Sequence, residues 1–140
     1  MILEQNKALA RRTIEEVWSK GNLEVAPEIY GPFFVSHQHS HPHARDVRGL
    51  SALIEFVREF RRAFPDFHDT IDDQIAEGDK VVTRFTSTGT HRGVLMGLEP
   101  TNRQASWMGT VIDRIEEGKI VEEWVSWGLF GMMQLLGGIS

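Results

Sequence analysis

The hydrophobic period of this chain changes once, at Pro65, and that change governs what the chain can fold into. Before it, apolar residues recur at three- and four-residue spacing, as on a helix with one buried face. After it they alternate with polar residues, as on half-buried strands. Over residues 2–20 the helical stripe is Leu3, Ala10, Ile14, Val17 and Trp18, and Gly21 supplies the stop. Asn22 is placed to cap a second, short helix, LEVAPEIY, ended by Gly31 and Pro32; Pro27 falls near its first turn, where a missing N–H costs least. A third helix is expected from about Val47 to Phe64, with Leu50, Leu53, Val57, Phe60 and Phe64 as its stripe and Pro65 as its end. Then Phe67, Ile71 and Ile75 alternate with polar residues. Residues 81–91, 104–115 and 120–127 are strand-like, and EGDK (77–80) and EEGK (116–119) read as hairpin turns. Helices first and a meander afterwards define an α+β chain: three N-terminal helices packed on a strongly curved antiparallel sheet. The apolar tail GLFGMMQLLGG must cover something, either a pocket mouth or a partner subunit.

With 140 residues and no internal repeat or linker, residues 1–140 read as a single domain with a core of its own. The absence of cysteine excludes a disulfide scaffold, thiol nucleophiles and Cys-ligated metals. A formal net charge of −5, with Lys and Arg scattered, argues against nucleic acid as partner. No apolar run approaches the ~18 residues of a membrane span, and the first residues lack the order of a secretory signal, so a soluble, cytoplasmic protein is expected. No Gly-rich phosphate loop, GxSxG elbow or HExxH occurs, which disfavours nucleotide cofactors and serine hydrolase chemistry. Catalysis in such a chain must run on carboxylate and imidazole.

Alternation sorts the candidates for that chemistry. Trp107, Gly109, Val111, Asp113 and Ile115 share one strand face, and Thr83, Phe85, Ser87, Gly89 and His91 share another. Faces that are bulky at one end and hollow at the glycines would enclose an apolar cavity with few polar groups, Asp113 and His91 among them. Each has a plainer reading: Asp113 as a hairpin-end residue paired with Arg or water, His91 as a loop-edge histidine. On the last strand, Ile120, Glu122, Trp124 and Ser126 alternate with Val121, Glu123, Val125 and Trp127. The expected cavity wall comprises Trp18, Phe56, Phe60, Phe85, Trp107 and Trp124, with Met96 from the 92–103 loop. His37, His39, His41 and His43 stand at period two, a spacing that can ligate zinc or nickel. Pro42 and the lack of apolar alternation make this an irregular loop, and no functional metal is expected; His37, next to the apolar run FFV with only Ser36 between, is the one to point inward. Asp69 and Asp73 are in phase with Phe67 and Ile71. They are either inward carboxylates or a solvated pair approaching a turn. Asp72–Asp73 and Glu122–Glu123 each split across two faces, so neither adjacent pair is a carboxylate dyad, and Arg11–Arg12 and Arg61–Arg62 read as solvated.

The succession NKALARRTIEEVWSKGNLEVAPEIY, FFVSH, REFRRAFPDF, IAEGDKVVTRFTSTGTHRG and IDRIEEGKIVEEW resembles the SnoaL-like polyketide cyclase family, in the nuclear transport factor 2-like superfamily, over nearly the whole chain. The resemblance implies helices over a curved sheet with a cone-shaped cavity, and a homodimer. It also implies an enzyme that closes a ring on a hydrophobic polyketide-like substrate by intramolecular aldol condensation, with no cofactor and no metal. Such chemistry, like that of isomerases and lyases acting next to a carbonyl, asks for an aspartate to take the α-proton and a donor to stabilise the enolate. His91 of GTHRG matches the family histidine. The family's aspartate strand places Val111 at the matching position in some registers; Asp113 lies two residues on, on the same face, and is the only carboxylate of 104–115. Asp113 is thus the expected acid/base, with His91 or His37 as donor. Two other functions stay open: a non-catalytic binder of an apolar metabolite, and an epoxide or ester hydrolase using Asp69 or Asp73 with Arg84. Alternation sets Arg84 on the face opposite Phe85, outside the cavity.

Overall fold

A computed structural model describes residues 2–38, 40 and 46–138. The first helix, α1 (Ile2–Arg12), runs directly into a π-helical turn, Thr13–Ser19. Its buried face is Asn6, Ala10, Thr13, Ile14 and Val17, whereas Leu3 is exposed. The carbonyls at the end of this helix would be orphaned without a partner. Arg61 answers them: its Nη1 donates to the Trp18 and Ser19 carbonyls, each at 2.7 Å. Arg61 therefore clamps two helices together instead of forming a solvated face with Arg62.

The second expected helix is shorter than its sequence suggested. A 3₁₀ turn (Leu23–Val25) and one α turn, α2 (Ala26–Ile29), give way at Tyr30 to a strand, β1 (Tyr30–Gln38). β1 pairs antiparallel with the two-residue β2 (Val47–Arg48), which delays the third helix, α3 (Leu50–Ala63), by three residues. The remaining strands are β3 (His68–Glu77), β4 (Lys80–Thr90), β5 (Gln104–Glu116) and β6 (Lys119–Trp127), followed by α4 (Leu129–Leu136). The sheet order is β2-β1-β6-β5-β4-β3, with β1 parallel to β6 and every other pair antiparallel. The sheet is thus mixed. Its edges β2 and β3 do not pair with each other, so it curls without closing.

Strict alternation holds on β4 and β5, whose registry runs unbroken from Lys80↔Arg114 to Thr90↔Gln104. It fails at one point on each flanking strand. Between Ile71 and Asp73 the β3–β4 register shifts by one residue, so Asp69, Ile71 and Gln74 face inward while Asp73 and Ile75 turn out to solvent. Between Arg114 and Ile115 the β5–β6 register shifts likewise, so Ile120 and then Glu123 are buried. An inserted residue reverses the facing of everything beyond it. This bulge is why Trp124 stands on the outer face, where its ring stacks on His37 at 5.5 Å.

The glycine hollows expected on the inner face are filled. A Cβ on Gly89 would lie 2.8 Å from the Phe64 ring, and one on Gly109 would lie 2.5 Å from the ring of Phe85. Bare backbone at these two positions lets aromatic rings rest on the sheet. The tail covers its own chain: Leu129, Met132 and Leu136 of α4 bury against the cluster of Phe60, Phe64 and Trp107. Such side chains contribute about 1.5–3 kcal/mol each when fully buried. Among the described residues no helix is long and apolar enough to cross a membrane.

Candidate functional site

The curl of the sheet leaves a cavity between the inner faces of β3–β6, the π turn and α3. Counted out to its open mouth it measures about 570 Å³, of which about 70 Å³ is room for the centre of a water-sized sphere. The π turn contributes Thr13, Ile14 and Trp18; α3 contributes Phe56 and Phe60. Phe67, Phe85, Trp107, Val111, Val125 and Trp127 complete the apolar wall. Phe60 is its hub, with ring centroids 5.9 Å from Trp18, 5.5 Å from Phe67, 6.0 Å from Trp107 and 5.7 Å from Trp127. Five polar side chains interrupt this wall: Thr13, Gln38, Asp69, Ser87 and Glu123.

Asp69 is the isolated carboxyl of the set. It sits on β3 directly across from Ser87 of β4, whose hydroxyl donates to Asp69 Oδ1. Its backbone is pinned by Ser19, whose Oγ accepts the Asp69 N–H at 2.8 Å. Burial pushes the Asp69 carboxyl up to about 7, and the Ser87 hydroxyl opposes that rise. A carboxyl that titrates near neutral pH is suited to taking a proton and returning it.

Glu123 belongs to a second buried group. It faces Asp113 directly across the β5–β6 pair, and both are buried, Asp113 completely. Burial and mutual repulsion raise Asp113 well above the ordinary aspartate range; burial raises Glu123 less, because Asp113 and the Ser36 hydroxyl stabilise its ionised form. Two ionised carboxylates cannot hydrogen-bond each other, and neither Asp113 oxygen has a conventional donor. A proton shared by the pair lets one carboxyl hydrogen-bond the other. The Tyr30 hydroxyl lies beside Thr13 and Glu123, and burial raises its own ionisation far above the usual phenol range.

The residues singled out from sequence separate accordingly. Trp18, Phe56, Phe60, Phe85 and Trp107 line the cavity. Trp124 does not, for the bulge turns it outward, and Met96 is exposed in the 92–103 loop with a left-handed φ of 49°. Asp113 lies behind Glu123 and is not part of the lining. His91 is fully buried outside the cavity: its Nδ1 accepts the Thr101 N–H at 3.2 Å and lies 3.1 Å from Thr101 Oγ1. Backbone bonds from Asn102 to His91 and from His91 to Arg103 complete an anchor for that loop. His37 lies on the outer side of β1, 2.7 Å from Glu122 and 3.1 Å from Asp46, and both carboxylates raise its pKa. Arg84 is exposed and pairs with Asp72 at 3.7 Å, away from Asp69. His39, His41 and His43 lie outside the described residues. Among those described, no group of three His, Asp or Glu is placed to hold a metal.

Thr13, Gln38 and Glu123 are cavity groups that the strand pattern did not single out. Only one sequence signal pointed at any of them: the β-branched Thr13 lies at the i−1 position of the Ile14–Val17–Trp18 stripe.

Comparison with known proteins places this geometry. The profile of the SnoaL-like polyketide cyclase family matches residues 8–136. No curated protein matches the chain. Among solved structures, IdmH of Streptomyces antibioticus, a candidate polyketide cyclase, is 27% identical and superposes with a TM-score of 0.81, covering 95% of this chain and 99% of its own. AclR of Streptomyces galilaeus, a candidate hydroxylase, is 26% identical with a TM-score of 0.84, over 99% of this chain and 88% of that one. A candidate SnoaL-like polyketide cyclase from Jannaschia sp. CCS1, 23% identical, shares the fold with a TM-score of 0.89 over 99% and 96% of the two chains. The family match spans all six strands and every residue that lines the cavity, and the chain belongs to the SnoaL-like polyketide cyclase family.

Proposed function

We propose that this chain is a cofactor-independent enzyme of the cyclase type, acting on a hydrophobic, carbonyl-bearing, polyketide-like small molecule with Asp69 as its acid/base. One observation carries the reading: a buried carboxyl, held by a single hydroxyl, stands at the wall of an otherwise aromatic cavity. In an intramolecular aldol closure, ionised Asp69 takes a proton from the carbon next to a carbonyl. The resulting enolate attacks a second carbonyl carbon, forming the C–C bond. Protonated Asp69 then returns its proton to the new alkoxide, so no net proton and no cofactor is consumed. Trp18, Phe60, Phe85 and Trp107 hold the chain folded and exclude water, which strengthens each charge interaction during the reaction. In this reading His91 fixes the 92–103 loop, and Asp113 reaches the substrate only by way of Glu123.

The test uses β-tetralone, a bicyclic ketone with exchangeable α-protons, in deuterium oxide with proton NMR. The wild-type protein is expected to accelerate exchange, with a rate that rises through about pH 7 as Asp69 ionises. Asp69→Asn should lower that rate by about 10²–10⁴-fold while near-UV circular dichroism stays unchanged. Equal exchange rates in the two proteins would remove Asp69 from the chemistry. Absence of exchange together with stoichiometric binding would favour the non-catalytic binder. The homodimer belongs to the same reading, and sedimentation velocity tests it.

A further inference from the structure

The cavity has a second polar wall that a purely apolar substrate would leave unanswered. Glu123 and Thr13 both line it, and both are buried. Thr13 Oγ1 and the Tyr30 hydroxyl stand beside each other, and among the described residues neither meets any further donor or acceptor in hydrogen-bond geometry. A buried polar group left unpaired costs about 1–3 kcal/mol, so a wall of this kind favours a ligand that completes it. Glu123 is supplied on its far side, where Asp113 and the Ser36 hydroxyl stand behind it. Among the described residues, no cation acts on Asp113, Glu123 or Tyr30. Asp113 and Ser36 occupy the far side of the Glu123 carboxyl, which leaves an acceptor oxygen for the cavity.

We propose that Glu123 and Thr13 form a hydroxyl-recognising subsite, which selects substrates bearing a phenolic or enolic O–H opposite the Asp69 wall. A hydroxyl needs one acceptor for its proton and one donor for its oxygen. Glu123 is the acceptor and Thr13 Oγ1–H the donor. Asp113, across the β5–β6 pair and outside the lining, holds the Glu123 carboxyl correctly turned without touching the ligand, so Asp113 is a positioning residue. The subsite rests on the cavity being the substrate site, as proposed above, but not on Asp69 being the base. A buried carboxyl acceptor discriminates, because a ligand that leaves it unpaired forfeits the hydrogen bond without relieving the cost of burial. A site built for a hydroxyl also rejects the analogue that lacks it.

The experiment compares binding of β-naphthol and naphthalene, two probes of the same shape that differ in one hydroxyl, by quenching of tryptophan fluorescence. The wild-type protein is expected to prefer β-naphthol by at least about tenfold. Glu123→Met should bring that preference to within about threefold, and Glu123→Gln, which keeps the shape, should reduce it at least about threefold. Asp113→Asn keeps a donor behind Glu123 and should retain the preference, whereas Asp113→Val removes the donor and should lose it. Asp69→Asn should leave the preference in place, which separates this subsite from the acid/base reading. The proposal is overturned if the wild type shows no preference, if Glu123→Met or Glu123→Gln retains it, or if Asp69→Asn is the variant that abolishes it. A merely structural role for Asp113 would affect the Asn and Val variants alike, and that outcome would overturn its positioning role.

Discussion

Replacing Asp69 by Asn gives a quantity that can be worked out beforehand. The carboxyl ionises near 3.8 in an unfolded chain and near about 7 in the folded one. Between these values the unfolded chain has lost the proton that the native state still holds, so stability falls as pH rises. Below the unfolded value both states are protonated and the residue is neutral to stability; above about 7 both are ionised and the loss is complete. The span is about three pH units, and at 1.36 kcal/mol per unit the loss reaches about 4 kcal/mol. Asn preserves the shape and accepts the Ser87 hydroxyl but cannot ionise. Asp69→Asn should therefore be more stable than wild type by up to about 4 kcal/mol near pH 8, and within about 1 kcal/mol of it near pH 4. Urea unfolding across this range measures the difference, and the raised Asp113–Glu123 pair cancels because both proteins carry it. A difference that stays constant from about pH 4 to pH 8 would refute the reasoning, for it would mean that Asp69 titrates normally in the folded state. Stability gained together with activity lost would be the signature of a carboxyl kept in its cavity for chemistry.

Three further outcomes follow from the geometry. Phe60→Ala removes the hub of the aromatic wall and should destabilise the fold by about 3–5 kcal/mol in urea titrations, with loss of naphthalene binding. His37 should titrate above its ordinary value of 6.5 by proton NMR, and Glu122→Gln should lower it; the His37–Glu122 stabilisation is therefore full below about 6.5 and lost as pH rises through the folded value. His91→Ala should raise amide hydrogen exchange across 92–103 while β-tetralone exchange by the still-folded protein continues; turnover abolished with an unchanged loop would return His91 to the chemistry.

How much of this was legible before the structure depended on where the backbone is regular. β4 and β5 run in unbroken register, and there alternation placed Trp107, Val111, Asp113, Phe85 and Ser87 on the inner face as observed. On β3 and β6 a single inserted residue breaks the phase, and no residue type announces it. Asp69 lies before the β3 shift and keeps its expected facing; Asp73 and Ile75 lie after it and do not. Trp124 was misplaced for the same reason. β1 escaped notice because its period is spoiled by Gly31 and Pro32 and its partner β6 lies some 90 residues on, a non-local pairing that local pattern does not encode. The Asp113–Glu123 pair has the same origin: each carboxyl is unremarkable in sequence, and only cross-strand registry brings them face to face.

The shift at Arg114 and Ile115 makes the chemical inventory of the cavity a matter of counting. Were β6 to keep all its residues but run without this shift, regular alternation from Ile120 would present Glu122, Trp124 and Ser126 to the interior in place of Glu123, Val125 and Trp127. The fold would keep its strands and order, yet its ligand preference would be rewritten by one step of register. Two chains of this architecture that align well along the last hairpin can therefore line their cavities with different residues, and one that aligns poorly there can line it with the same ones. Inheritance of specificity in such a cone follows the register of β6 more closely than its spelling.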